Sequence, residues 1–133
     1  MPTSLEMLSL AEQASNRAYA PYSNYSVGVA ILTENGEVFQ GANIENISYG
    51  ATICAERTAI ANMRTGGDHR ILTVAVHTPD HGWPCGICLQ TIAEFAIDAD
   101  STRIVVPSEN GFIERSLREL APYLWSSALV KKK

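Results

Sequence analysis

Thr3-Ser4-Leu5-Glu6 has the form of a capping box, and Leu5, Leu8, Ala11, Ala14 and Ala18 then give one apolar face at helical spacing. The spacing predicts a helix that runs until Pro21 stops it. Tyr25, Val27, Val29 and Ile31 alternate with smaller residues, as in a strand, and Asn35-Gly36 predicts a hairpin turn into a second strand over residues 38–41. Thr52 is placed to cap a helix reaching about Arg64 and ended by Gly66-Gly67. Ile71–His77 is a β-branched apolar run suited to a buried strand. Pro84 and Cys85 open a further helix reaching about Phe95. Residues 103–106 read as a short strand, with another around Phe112-Ile113. Ser116-Leu117-Arg118-Glu119 is a second capping box before a short helix.

The order α-β-β-α-β-α-β-β-α predicts a mixed sheet with helices on both faces. At 133 residues, 46% of them hydrophobic and 18% charged, the chain suits a single domain over residues 1–133 with a substantial core. No apolar run approaches the ~20 residues of a membrane span. The segment MPTSLEM lacks the basic and apolar regions of a signal peptide, so an intracellular protein is expected. On that expectation the triplets at Asn24 and Asn46, which fit the glycosylation pattern, stay unmodified. The net charge of −4 argues against a nucleic-acid partner, which calls for a basic footprint. Lys131, Lys132 and Lys133 read as a short solvated tail.

Candidate chemistry lies in the three cysteines, a poor set for a disulfide framework and a reasonable one for a metal. In Cys85-Gly86-Ile87-Cys88, spacing of i, i+3 puts both sulfurs on one face of a predicted helix start, where the backbone amides favour thiolates. Cys54 opens the other central helix, so all three sulfurs can converge. Three ligands with one open position is the arrangement of a catalytic zinc. By itself C-x-x-C also fits a thiol redox pair, or a closed structural zinc site completed by His77 or His81. Cys54-Ala55-Glu56, followed by Pro84-Cys85-x-x-Cys88, separates them. That order is the signature of zinc deaminases, in which the glutamate is a general acid/base and not a ligand.

Around that signature, residues 18–24 (AYAPYSN), 43–50 (NIENISYG) and 52–59 (TICAERTA), the PCGIC run and the LAPYLW run ending at Trp125 together resemble the small homotetrameric cytidine deaminases. The resemblance covers about residues 18–125. It implies an α/β/α three-layer sandwich with a mixed sheet of about five strands, and one zinc per chain on Cys54, Cys85 and Cys88. Glu56 would be the catalytic proton shuttle, and Arg57 would lie against the thiolates and offset their charge. Asn43 and Glu45 would read the ribose. Residues i and i+2 of an extended segment point the same way, and an amide beside a carboxylate can both donate to and accept from hydroxyls. Tyr25, where the family usually has phenylalanine, would line the sugar site, with Ala55 also touching the substrate. Tyr49 would reach a neighbouring subunit's site, and Trp125 falls where the family often has a phenylalanine that stacks on the pyrimidine from another subunit. Leu89 departs from the arginine that usually follows the last cysteine. The implied activity is hydrolysis of cytidine or deoxycytidine to the uridine nucleoside and ammonia, in cytoplasmic pyrimidine salvage. A modified nucleoside such as blasticidin S is the alternative substrate; a thiol-disulfide oxidoreductase and a non-catalytic zinc domain are the alternatives from other classes.

Overall fold

The computed structural model describes residues 1–126; the lysine tail at 131–133 lies outside the described residues. The elements are α1 (Ser4–Ser15), β1 (Gly28–Thr33), β2 (Val38–Ala42), a 3-10 turn (Tyr49–Ala51), α2 (Ala55–Thr65), β3 (Ile71–His77), α3 (Gly86–Phe95), β4 (Arg103–Ser108), β5 (Gly111–Ser116) and α4 (Leu117–Leu120). The five strands form one sheet in the order β2-β1-β3-β4-β5, with β3 and β4 parallel and the other neighbours antiparallel. Helix α3 makes the crossover that a parallel pair needs.

Side chains of β1 alternate between two cores. Val29 and Ile31 pack with Ala59, Ile60 and Met63 of α2 and Ile92 of α3. Ala30 and Leu32 pack with Met7, Leu8 and Ala11 of α1. Both faces are covered, which is why all six residues of β1 are buried. The expected three-layer sandwich with a mixed five-stranded sheet is the observed fold.

Local chemistry accounts for most boundaries. Both capping boxes form, Thr3 with Glu6 and Ser116 with Glu119. The hairpin closes with Gly36 at φ +87° and its amide on the Thr33 carbonyl at 3.0 Å. Three expectations are corrected. Helix α1 stops at Ser15, short of Pro21, because the chain turns away to pair: Tyr19 N–H donates to the Asn43 carbonyl at 2.9 Å and Glu45 N–H to the Tyr19 carbonyl at 2.8 Å. Its buried face is Met7, Leu8, Ala11 and Ala14, leaving Leu5 in solvent. Tyr25 and Val27 lie before β1, not within it. The N-cap of α2 is Cys54; Thr52 instead closes the 3-10 turn, and its hydroxyl accepts from Asn46 N–H at 3.3 Å.

Two glycines set the distances between layers. A Cβ on Gly28 would stand 1.9 Å from the Ala11 carbonyl oxygen of α1, and one on Gly41 would stand 2.3 Å from Ala59 N of α2. Backbone cannot swing aside as a side-chain tip can, so a methyl at either place pushes a helix off the sheet. Gly28→Ala is therefore expected to lower stability by about 1–3 kcal/mol, the usual cost of overpacking. Urea unfolding measures this, and an unchanged midpoint would show that α1 gives way freely.

Candidate metal centre

Cys54 is the N-cap of α2, Cys85 is the N-cap of α3, and Cys88 lies in the first turn of α3. The two helix starts face each other closely enough that all three sulfurs fall within 4.8 Å of one another. Tetrahedral zinc with Zn–S bonds of about 2.3 Å would hold sulfurs about 3.8 Å apart, so the donor set fits zinc with small adjustment. Cys88 is buried, Cys54 half-buried and Cys85 exposed, leaving the cluster open on one side. The cluster holds no imidazole: His77 Nε2 faces Glu12 at 3.7 Å instead. A closed four-ligand site and a two-cysteine redox pair both fit this arrangement less well.

The thiols are electrostatically unequal. Burial raises the pKa of Cys88, and the nearby Glu56 and Cys54 charges push it further up. At Cys85 burial acts the same way, but hydrogen bonds from the Cys88 and Ile87 amides and from the neighbouring thiols outweigh it and hold its thiol below the usual range. Those amides are the free donors of the α3 N-terminus, which favour a thiolate.

Glu56 sits in the first turn of α2 and is 5% exposed. Burial raises its pKa, opposed by its own backbone amide, the Cys88 thiol and the Arg57 charge. Arg57 donates through Nη2 to Cys54 Sγ at 3.6 Å and to the Thr52 carbonyl at 3.4 Å, while its Nε is buried with no hydrogen-bond partner among the described residues. Leu89, where the resemblance leads one to look for an arginine, packs half-buried against the main core. A cation there would face apolar side chains.

The polar residues expected at the sugar are already committed to the backbone. Asn43 accepts from Val27 N–H at 2.9 Å and donates to the Tyr25 carbonyl at 2.8 Å. One Glu45 oxygen accepts from the amides of Tyr22 at 2.9 Å and Ser23 at 3.2 Å, and the other accepts from the Ser23 hydroxyl. These bonds, led by the Ser23 hydroxyl, hold the Glu45 carboxyl below its ordinary pKa. An amide has one donor and one acceptor site to spare after two bonds, and a carboxylate keeps at least one lone pair. Both side chains are thus fixed in place with capacity left for a ligand. A hollow of about 350 Å³ lies beside Glu45, bounded also by Tyr22, Ser23, Asn46, Tyr49 and Thr52; Asn43 does not line it. Tyr49 is 77% exposed and stands edge-on to Tyr22 with ring centroids 6.3 Å apart. Ala55 is fully buried at the start of α2.

Trp125 lies elsewhere. It is 67% exposed, and its carbonyl accepts from Gln90 on the outer side of α3 at 2.8 Å. With Gln90 it borders a second hollow, of about 380 Å³, that none of the sulfurs line. The donor set, not cavity size, locates the chemistry. Sequence reading missed Asp80, which accepts from Tyr25, and Thr78, which donates to the same Asp80 oxygen from the loop before α3. In sequence that loop signals only a turn, through Pro79, Asp80 and Gly82.

Residues 1–102 match the family model described as the cytidine and deoxycytidylate deaminase zinc-binding region. A cytidine deaminase of Halalkalibacterium halodurans is 43% identical over 115 residues, which cover 84% of this chain and 86% of the relative. A probable cytidine deaminase of Dictyostelium discoideum is 37% identical over 119 residues, or 87% of this chain and 79% of the relative. Among solved structures, a cytidine deaminase from Burkholderia pseudomallei superposes with a TM-score of 0.85 at 35% identity, covering 93% of this chain and all of that one. One from Mycobacterium tuberculosis gives 0.79 at 33% identity, covering 90% and 94%.

Purified protein is expected to carry about one equivalent of zinc per chain, and Cys88→Ser to lose most of it while keeping its circular dichroism. Metal analysis decides. Full zinc in Cys88→Ser would mean that the three sulfurs do not form the site.

Proposed function

The chain belongs to the cytidine and deoxycytidylate deaminase family, and from that premise we propose the task each residue performs. The reaction is zinc-dependent hydrolytic deamination of cytidine and deoxycytidine to the uridine nucleosides, with release of ammonia. The observation that carries the reading is a three-sulfur cluster, open on one side, with a buried carboxylate next to it in sequence and within reach of Cys88.

Cys54, Cys85 and Cys88 hold the metal, whose part is to make water a nucleophile at neutral pH. Glu56 takes a proton from the attacking water and delivers it to N3 of the cytosine ring, which makes C4 more electrophilic. It then takes the second proton, from the hydroxyl now on C4, and passes it to the amine, which departs as ammonia while the C4 carbonyl forms. A carboxylate that must both take and give a proton works best with a raised pKa, and burial pushes Glu56 that way. Arg57 offsets the formal charge of −1 that three thiolates leave on a divalent ion. Its Nη2 contact with Cys54 supports that role.

Asn43 donates to, and Glu45 accepts from, hydroxyls of the sugar through the sites their backbone bonds leave free. Tyr25 lines the same subsite, and Ala55 offers its amide to the base. Tyr49 and Trp125 act toward a neighbouring chain, in a homotetramer with shared active sites. Their exposure in a single chain supports this. Residues 1–133 work as one domain, in the cytoplasm, in pyrimidine salvage. No helix among the described residues is long and apolar enough to cross a membrane.

Glu56→Gln is expected to keep zinc and fold but lose at least ~10²-fold in kcat on cytidine, the usual scale for an acid–base group. Turnover near that of the parent enzyme would refute the proton-shuttle role. Free cytosine should be a poor substrate, because the sugar's binding energy is missing. Cytidine monophosphate should be poor as well, since no glycine-rich phosphate loop is present and the chain is acidic. Steady-state rates on the three compounds test the sugar reading, which fails if the monophosphate is fastest. Sedimentation that gives fewer than four chains per particle would remove the shared-site arrangement.

A further inference from the structure

The segment before β1 and the loop before α3 meet at one side-chain hydrogen bond. Tyr25 Oη donates to Asp80 Oδ1 at 2.5 Å. The same oxygen accepts from the Thr78 hydroxyl at 3.1 Å, and that hydroxyl accepts from Gly82 N–H at 2.6 Å. The group is compact: a Cβ on Gly82 would stand 3.2 Å from Asp80 Oδ1 and 3.3 Å from Tyr25 Oη. Each partner also neighbours a residue in the left-handed region, Asn24 at φ +57° and His81 at φ +60°. Non-glycine residues keep that conformation where surrounding contacts hold it.

Each side of this bond leads to a part of the site. Behind Tyr25, its amide donates to the Ser23 hydroxyl at 3.0 Å, and the Glu45 carboxylate holds Ser23 and Tyr22. Asn43 holds the Tyr25 carbonyl and Val27 N–H. Ahead of Gly82, the chain passes through Trp83 and Pro84 into Cys85. The bond therefore joins the segment strapped by the proposed sugar-reading pair to the loop that delivers a metal ligand.

We propose that Asp80 is a positioning residue: by accepting from Tyr25 it ties the Cys85 loop to the segment held by Asn43 and Glu45, so that metal ligand and sugar subsite keep one spacing. The proposal rests on the reading of this site as a nucleoside deaminase. It also gives the Tyr25 hydroxyl a role of its own. Asp80 acts through Tyr25 and the loop backbone, without touching the substrate.

The test uses full-length zinc enzyme carrying Asp80→Ala, Asp80→Asn, Tyr25→Phe, or Tyr25→Phe with Asp80→Ala. Each is measured for KM and kcat on cytidine and for the rate of zinc transfer to a colorimetric chelator. Asp80→Ala is expected to raise KM and to speed zinc transfer, each by roughly three- to tenfold, the net size of one typical hydrogen bond. Asp80→Asn keeps an oxygen that accepts from Tyr25 and should restore most of both values. The double variant should be no worse than the more affected single one, because both changes remove the same bond. Parent-like KM and zinc transfer in Asp80→Ala overturns the proposal, as do additive effects or an Asp80→Asn as impaired as Asp80→Ala. A parent enzyme that fails to deaminate cytidine overturns the functional reading instead, and zinc transfer still reports on the tie.

Discussion

Three cysteine sulfurs within 4.8 Å of one another repel as soon as more than one is ionised, and the buried Glu56 adds a fourth acidic group beside them. Several features of the fold oppose that repulsion. Two helix N-termini meet at the cluster, and the Ile87 and Cys88 amides at the start of α3 bond the Cys85 thiol. The Arg57 guanidinium lies on Cys54, and that contact, with the nearby thiols, makes its charge harder to remove. A divalent cation supplies the remaining positive charge. The layered architecture makes this possible, because α2 and α3 lie on the same face of the sheet and share one core.

Away from the metal the site is organised differently. Asn43 and Glu45 belong to no regular element, yet each makes at least two hydrogen bonds to backbone or hydroxyl groups 16–23 residues earlier in the chain. A loop held this way does not have to be ordered when a ligand arrives, so less of the binding energy is lost to restricting its motion. Backbone bonds of Tyr19 with Asn43 and Glu45 turn the chain away after α1, and the Asn43 side chain holds Tyr25 and Val27 ahead of β1. The segment between them is shaped by side chains from residues 43–45 rather than by its own periodicity.

That contrast explains what was legible in the sequence. Capping boxes, the β-branched run at Ile71–His77 and the C-x-x-C at a helix start are local signals, and the corresponding elements formed within a few residues of where they were expected. The metal ligands were legible because Cys54 and the later pair each mark a helix start, and two helix starts on one sheet face can meet. Thr52 was a reasonable cap by residue type, but the 3-10 turn that follows from tertiary pairing of residues 44 and 53 took it for another use. Asp80 carries no local signal toward Tyr25, because the two are far apart in sequence and their meeting depends on where the sheet places both loops. The close approach at Gly28 was equally hidden. A glycine in a strand signals that something comes near, without saying what.

Gly41 acts as a spacer whose influence reaches beyond packing. The atoms a Cβ there would strike include the carbonyl oxygen of Ala55, at 2.8 Å, and Ala55 is the residue between Cys54 and Glu56. The thickness of a single hydrogen atom on β2 thus sets how far the start of α2 stands from the sheet. It thereby sets how far one sulfur and one carboxylate reach toward the two sulfurs on α3. A substitution at this strand position would therefore disturb the placement of Cys54 and Glu56 as well as the packing of α2 on the sheet.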